Sequence, residues 1–192
     1  MAGQSVIAAD DVVERAARAA LALAAERPWG DIALRDIARA AGLSFAELYS
    51  RAPGKAALLD RLSRRLDQEA LAAAEEDAAP DAEVHDRLFE AVMARLEAMA
   101  PHRDALIAIA RAEGVAMLGP RLPRTARALL EAAGIDTGGP RGRLRVVAMT
   151  AVWVRVLQVW RDDEGALNRT MAEIDKRLRQ MRDRLKQVGA GY

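Results

Sequence analysis

Apolar residues recur at every third or fourth position over most of the chain, and no stretch alternates with the period of a strand. The first periodic segment predicts a helix over about 10–26, with Asp10 or Asp11 as cap and Val13, Ala17, Ala20 and Ala24 as its stripe. Arg27-Pro28 stops it. Leu34, Ile37, Ala38 and Ala41 form a short second face, and Gly42 stands where a helix closes in a left-handed residue. Ser44 is a good N-cap for a further short helix over 45–50, in which Leu48 can pack back on Ile37. Pro53-Gly54 breaks the chain before a long helix over about 55–74 with Leu59, Leu62 and Leu66 on one face.

After an acidic linker at 75–81, helices are expected over about 82–99, 103–113 and 124–133, with a loop over 114–123 and a Gly/Pro-rich loop from Gly134. The segment 141–161 is apolar nearly all round, so it must be buried on more than one side. After a polar break at 162–165, Leu167, Met171, Ile174, Leu178, Met181, Leu185 and Val188 step alternately by four and three, a heptad seam over 167–188. The expectation is an all-α chain of about nine helices.

Composition agrees with helices. Hydrophobic residues make up 52% of the 192 residues and aromatics only 4%. The chain has no Cys, hence no disulfide framework and no thiolate site. It shows no secretory signal pattern and no apolar run long enough for a membrane span, which predicts a cytoplasmic protein. Net charge is +1, unevenly placed. Residues 1–75 hold 10 basic and 11 acidic side chains, residues 76–140 hold 7 and 11, and residues 141–192 hold 12 and 6. Arg27 to Arg65 is locally basic, 8 against 4, a modest footprint for phosphates. No Lys or Arg precedes Arg15, so no basic arm reaches toward a minor groove.

No phosphate-binding Gly-rich loop, GxSxG or HExxH is present, and no catalytic arrangement is expected. His85 and His102 are isolated, with no carboxylate pair at ligand spacing, so neither metal nor cofactor is expected. Two short helices joined by a Gly turn form the helix-turn-helix arrangement, whose second helix can enter a major groove.

The segment Val12 to Leu59 resembles the N-terminal domain of the TetR family of bacterial transcription regulators. The residues that carry the likeness are Trp29, Ile37-Ala38, Ala41-Gly42-Leu43-Ser44, Leu48-Tyr49, Lys55 and Leu58-Leu59. The resemblance implies a three-helix DNA-binding domain over 8–54 and a helical ligand-binding and dimerisation bundle over 55–192. It implies that Ser44, Phe45, Ala46, Glu47, Tyr49, Ser50, Arg51 and Lys55 meet DNA, with Tyr49 and Lys55 on phosphates. The sequence departs from the family at Ala33, where Thr or Ser is usual, at Phe45, usually basic or polar, at Ala52, usually aromatic, and at Ser50, often His.

The same resemblance implies a homodimer through the last two helices, with Leu157, Trp160, Met171, Ile174, Leu178 and Met181 as the interface. Leu66, Phe89, Met93, Met117, Met149 and Trp153 are the expected lining of a pocket for an apolar or lipid-like effector; Met and aromatic residues at helical spacing also suit plain core. The basic outer face of the last helix, Lys176 to Lys186, is expected to be solvated. A second resemblance covers about 86–181, to the lipid-binding accessory protein of ubiquinone biosynthesis, a TetR-fold relative without DNA-reading function. It implies a lipid-carrying role with membrane contact.

Overall fold

Helix after helix follows from these stripes, and each finds its partner face in the structure, a computed structural model. It describes residues 2–76, 81–163 and 167–192, with the side chains of 2–11 and 115–118 outside the description. Among the described residues there are nine α-helices and no strand: α1 (Ala2–Glu26), α2 (Leu34–Ala40), α3 (Phe45–Arg51), α4 (Lys55–Glu76), α5 (Val84–Met99), α6 (Arg103–Leu118), α7 (Arg121–Ala132), α8 (Gly139–Asp162) and α9 (Asn168–Gln187). Short 3-10 turns cover Trp29–Asp31 and Ala100–His102. No described helix is long and apolar enough to cross a membrane.

The chain packs as two units. The first comprises residues 1–65 and 102–118, the second 66–101 and 119–192. The division expected at 54/55 follows chain order. Packing follows a different line, because α6 lies against α1 and the 3-10 turn at Trp29. In this first unit α1 also packs on α2 and α3. Its core includes Ala16, Leu21, Trp29, Ile32, Ile37, Leu48, Leu58 and Ile109, all at most 5% exposed.

In the second unit α7 packs on α8, α8 on α9, and α5 on both α7 and α9. Leu88, Val92, Leu96, Leu130, Met149, Val156, Ile174 and Leu178 are fully buried there. The α7–α8 connection depends on one residue without a side chain. A Cβ on Gly142 would stand 2.0 Å from the carbonyl carbon of Thr137, a backbone approach only glycine allows. Arg145 then ties the chain end to α8 by donating to the carbonyls of Ala190 (3.0 Å) and Gly191 (2.7 Å).

Three boundaries differ from expectation. α1 begins at Ala2, well before Asp10. The loop expected over 114–123 is mostly helix: the breaks fall at Gly114 (φ 70°, ψ 175°) and at the turn over 119–120, and α7 already starts at Arg121. Pro123 is tolerated because it sits in the first turn, where its missing N–H has no intrahelical acceptor to lose. The linker expected over 75–81 is helical to Glu76, and its residues 77–80 lie outside the description, as do 164–166 of the polar break.

Carboxylates hold the second unit's helices in register. Asp163, just past α8, accepts from the Thr170 hydroxyl (2.7 Å) and the Thr170 N–H (2.8 Å) at the start of α9. The Thr170 hydroxyl is the main cause that holds the Asp163 carboxyl below its ordinary range, with the Thr170 N–H and Arg169 adding. Asp175 is lowered chiefly by its contact with His85 (3.0 Å) and then by Arg179, and Glu173 chiefly by Arg177 and then Arg155. All three carboxyls have folded values below the unfolded one. Their contribution is therefore complete above the unfolded carboxylate range, about pH 4, and is lost as pH falls through the depressed folded values. Thermal melts are expected to be flat from neutral pH to about pH 5 and to fall below about pH 4. Asp163→Asn is expected to melt lower at neutral pH and to show a shallower acid drop; an acid limb unchanged by the substitution counts against this account.

Candidate nucleic-acid interface

The turn between α2 and α3 is built from residues with local reasons to be there. Gly42 adopts φ +66°, and the N–H of Leu43 donates to the Ala38 carbonyl (2.9 Å), closing α2. Ser44 opens α3: its hydroxyl accepts the Glu47 N–H (3.1 Å). The Ser50 hydroxyl turns back to the Glu47 carbonyl (2.8 Å). Within α3 only Leu48 is buried, and it is completely so. One anchored leucine leaves the remaining faces of the helix to solvent: Phe45, Ala46, Glu47, Tyr49, Ser50 and Arg51 are all exposed, as is Ser44.

The exposed residues are organised. The Phe45 and Tyr49 rings lie one turn apart with centroids at 5.7 Å, tilted by 44°. The Arg35 guanidinium of α2 covers the Phe45 ring at 5.1 Å, a cation–π contact across the helix-turn-helix. Lys55 is half-buried. Its ammonium sits 4.5 Å above the Trp29 ring and donates to the Trp29 carbonyl (2.8 Å), which holds it at the N-terminus of α4 with further N–H groups to spare. Trp29 is buried and donates from its indole to Glu113 of α6 (2.6 Å).

Two features escape a reading of the sequence. Ala33 has no side-chain acceptor for the first turn of α2, and Asp36 supplies the other half of a capping box, its carboxylate accepting the Ala33 N–H (3.0 Å). That hydrogen bond is the main cause of the lowered Asp36 value, with Arg27 and Arg39 adding. The acidic residue at the third helical position was the available signal. Arg35 is the other, a cation outside α3 that shapes the surface of α3.

The second unit places the expected pocket residues as follows. Leu66, Met93, Met149 and Trp153 are buried and Phe89 is half-buried. The Met117 side chain lies outside the description. Among them runs a buried polar group with no sequence signature: Asp67 accepts from Arg95 (2.8 Å) and from Thr125 (2.9 Å). Burial pushes the Arg95 guanidinium below its ordinary value, against the pull of Asp67.

The expected dimer residues lie as follows. Trp160, Ile174, Leu178 and Met181 are at most 4% exposed within the single chain. The middle of the heptad seam is covered by α9 packing in its own unit, which buries Ile174 and Leu178 completely and leaves Met181 to reach the surface only along a groove. Met171 remains exposed and Leu157 half-buried. The apolar surface of the α8–α9 pair lies elsewhere. Leu144 and Val147 are 42% and 66% exposed, Ala151 is exposed and Val188 is 64% exposed. Beside them runs an open groove of ≈ 320 Å³ with an apolar floor of Leu144, Ala148, Ala151 and Val152 of α8 and of Met181, Leu185 and Val188, edged by Arg155, Arg177, Gln180 and Arg184. The basic residues of α9 are in part paired along the helix, Arg177 with Glu173 and Arg179 with Asp175.

Ser44→Ala removes the cap of α3, and a loss of about 1 kcal/mol is expected in denaturant unfolding. Ser44→Asp, which keeps an acceptor, should retain most of that stability; equal losses in the two variants would rule out the capping role.

Residues 17–62 match the family model of bacterial regulatory proteins of the tetR family. Among solved structures the chain is similar to the TetR transcriptional regulator from Nitrosomonas europaea ATCC 19718, at 24% identity and a TM-score of 0.68, over 88% of this chain and 96% of that one. It is similar to a TetR transcriptional regulator from Rhodococcus sp. RHA1, at 16% identity and 0.66, over 89% and 95%. A tetR-family regulator from Streptomyces coelicolor matches at 17% identity and 0.57, over 93% and 84%. No match was found among curated proteins. Residues 17–62 therefore carry the helix-turn-helix segment that the tetR family model describes, and the chain has the fold of TetR transcriptional regulators.

Proposed function

We propose that this protein is a homodimeric, non-enzymatic transcriptional repressor that reads its operator with α3 and is released by an effector with an apolar body. The observation that carries the reading is the match over 17–62 together with an α3 that buries Leu48 alone. In this role Tyr49, Arg51 and Lys55 hold phosphates. Lys55 is pre-positioned by Trp29, so little of its flexibility is lost on binding. Phe45 and Ala46 meet base edges by apolar contact, the kind of contact that suits a thymine methyl, and Glu47 suits a cytosine amino group. The modest local charge predicts weaker salt-dependent affinity than a strongly basic regulator has. The protein acts in the cytoplasm, where its operator is. The effector works by population shift, binding the released state more tightly than the DNA-bound one.

The family match on the DNA-binding segment favours this reading over the lipid-carrying accessory role. Binding to DNA from the gene's own upstream region, followed through a salt series, tests it. A specific complex is expected at low salt. Tyr49→Ala with Lys55→Ala is expected to weaken it on all sequences alike and to lower the salt slope by about 2, one unit per lost phosphate contact. Absence of a specific complex at low salt, with isoprenoid lipid co-purifying by mass spectrometry, would turn the assignment to the accessory role.

A second copy is proposed to dock on the exposed stripe of Leu144, Val147, Ala151 and Val188, since that apolar surface is uncovered in one chain. Val147→Glu puts a charge at its centre and is expected to give monomers in sedimentation with the fold intact. A Val147→Glu protein that stays dimeric places the interface elsewhere.

A further inference from the structure

Resting on the reading of an effector-controlled regulator, the structure points to which chemistry the effector carries. The buried polar group of the second unit is incomplete. Asp67 is 7% exposed, Arg95 4% and Thr125 2%. Asp67 Oδ1 accepts from Arg95 Nε (2.8 Å) and from the Thr125 hydroxyl (2.9 Å). Its other oxygen is 3.1 Å from the same hydroxyl and 4.0 Å from Arg124 Nε. Arg95 thus binds the carboxylate through Nε, while its arm Nη1 is fully buried and has no hydrogen-bond partner among the described residues. Asp67 is held by three partners and does not turn to meet Nη1. Glu69, the other acid whose charge reaches Arg95, is exposed at the surface.

A buried donor without an acceptor is costly, and more so on a charged group. What surrounds it is apolar. Arg95 shares its face of α5 with the buried Leu88, Ala91, Val92 and Met99, and its guanidinium lies 5.9 Å from the centre of the buried Trp153 ring. A buried guanidinium arm beside apolar side chains is a recognition element for an oxyanion attached to a hydrophobic body.

We propose that the second unit binds an amphipathic carboxylate, with one carboxylate oxygen accepting from Arg95 Nη1 and the apolar body against Trp153 and its neighbours. Asp67 and Thr125 are positioning residues: they fix the guanidinium so that Nη1 faces the ligand. The carboxylate can sit on an alkyl chain or on an aromatic ring, and both sources share the same head.

The full chain is titrated with decanoate, 1-naphthoate and the methyl ester of each, reading tryptophan fluorescence and thermal melts. At least one acid is expected to bind about 10-fold or more tighter than its ester, the worth of a charge-assisted hydrogen bond. Decanoate alone or naphthoate alone identifies the body. Arg95→Lys keeps a cation for Asp67 and lacks the second arm; it is expected to lose the preference for acid over ester. Should that variant fail to fold, the acid-to-ester ratio of the wild-type protein decides by itself. Esters binding as well as acids, no binding of either acid at millimolar concentration, or an undiminished preference in Arg95→Lys overturns the proposal. A crystal structure grown with the acid that shows only water on Nη1 does so too. DNA binding of the same preparation without ligand is measured in parallel. Operator binding with no acid binding refutes this inference alone, and acid binding with no operator binding refutes the regulator reading alone.

Discussion

The helix-turn-helix unit rests on how Trp29 is held. Its indole is buried, its N–H goes to Glu113 of α6, its carbonyl accepts from Lys55 of α4, and its ring carries the Lys55 ammonium. One side chain thereby fixes the segment before α2 against a helix 84 positions later in the chain and sets where α4 begins. A two-helix motif of seven residues each is far too short to be stable alone. The presentation of α3 depends on this backing, which α1 and α6 complete.

With that support in place, α3 needs only one anchor. Leu48 fills the space beside Ile37, both with no exposure, and Ser44 and Gly42 set the angle between the helices. The rest of the helix is free of structural duty. Phe45 and Tyr49 are large apolar groups left at the surface, a costly choice for a solvated face and a useful one for stacking and groove contact. Arg35 adds a cation to this surface from the neighbouring helix.

The second unit shows the same separation between what is used inside and what is left outside. Ile174, Leu178, Met181 and Leu185 of the α9 seam fill the unit's own core, and Asp163 pins the start of the helix. The surplus apolar surface then falls to α8, at Leu144 and Val147. Deeper in, the Asp67–Arg95–Thr125 group brings polar chemistry into a mainly apolar core. Such groups cost desolvation and rarely add stability over an apolar core. Arg95 Nη1, left without an acceptor among the described residues, is the part of that group that packing does not explain.

Helix content, the helix-turn-helix pair, its cap at Ser44, its turn at Gly42 and the anchor Leu48 could all be read from the sequence. Each rests on local chemistry: spacing at 3.6 residues, a hydroxyl before a first turn, a glycine in a left-handed position. Periodicity states that a stripe is buried without naming its partner, so the α9 seam suited a second copy as well as its own chain, and only packing shows that Ile174, Leu178 and Leu185 are covered by their own chain. That residues 102–118 join the first unit, and that Asp67, Arg95 and Thr125 meet although they are 28 and 58 positions apart, are long-range outcomes. Contacts of that kind depend on how whole helices dock, and no local pattern encodes them.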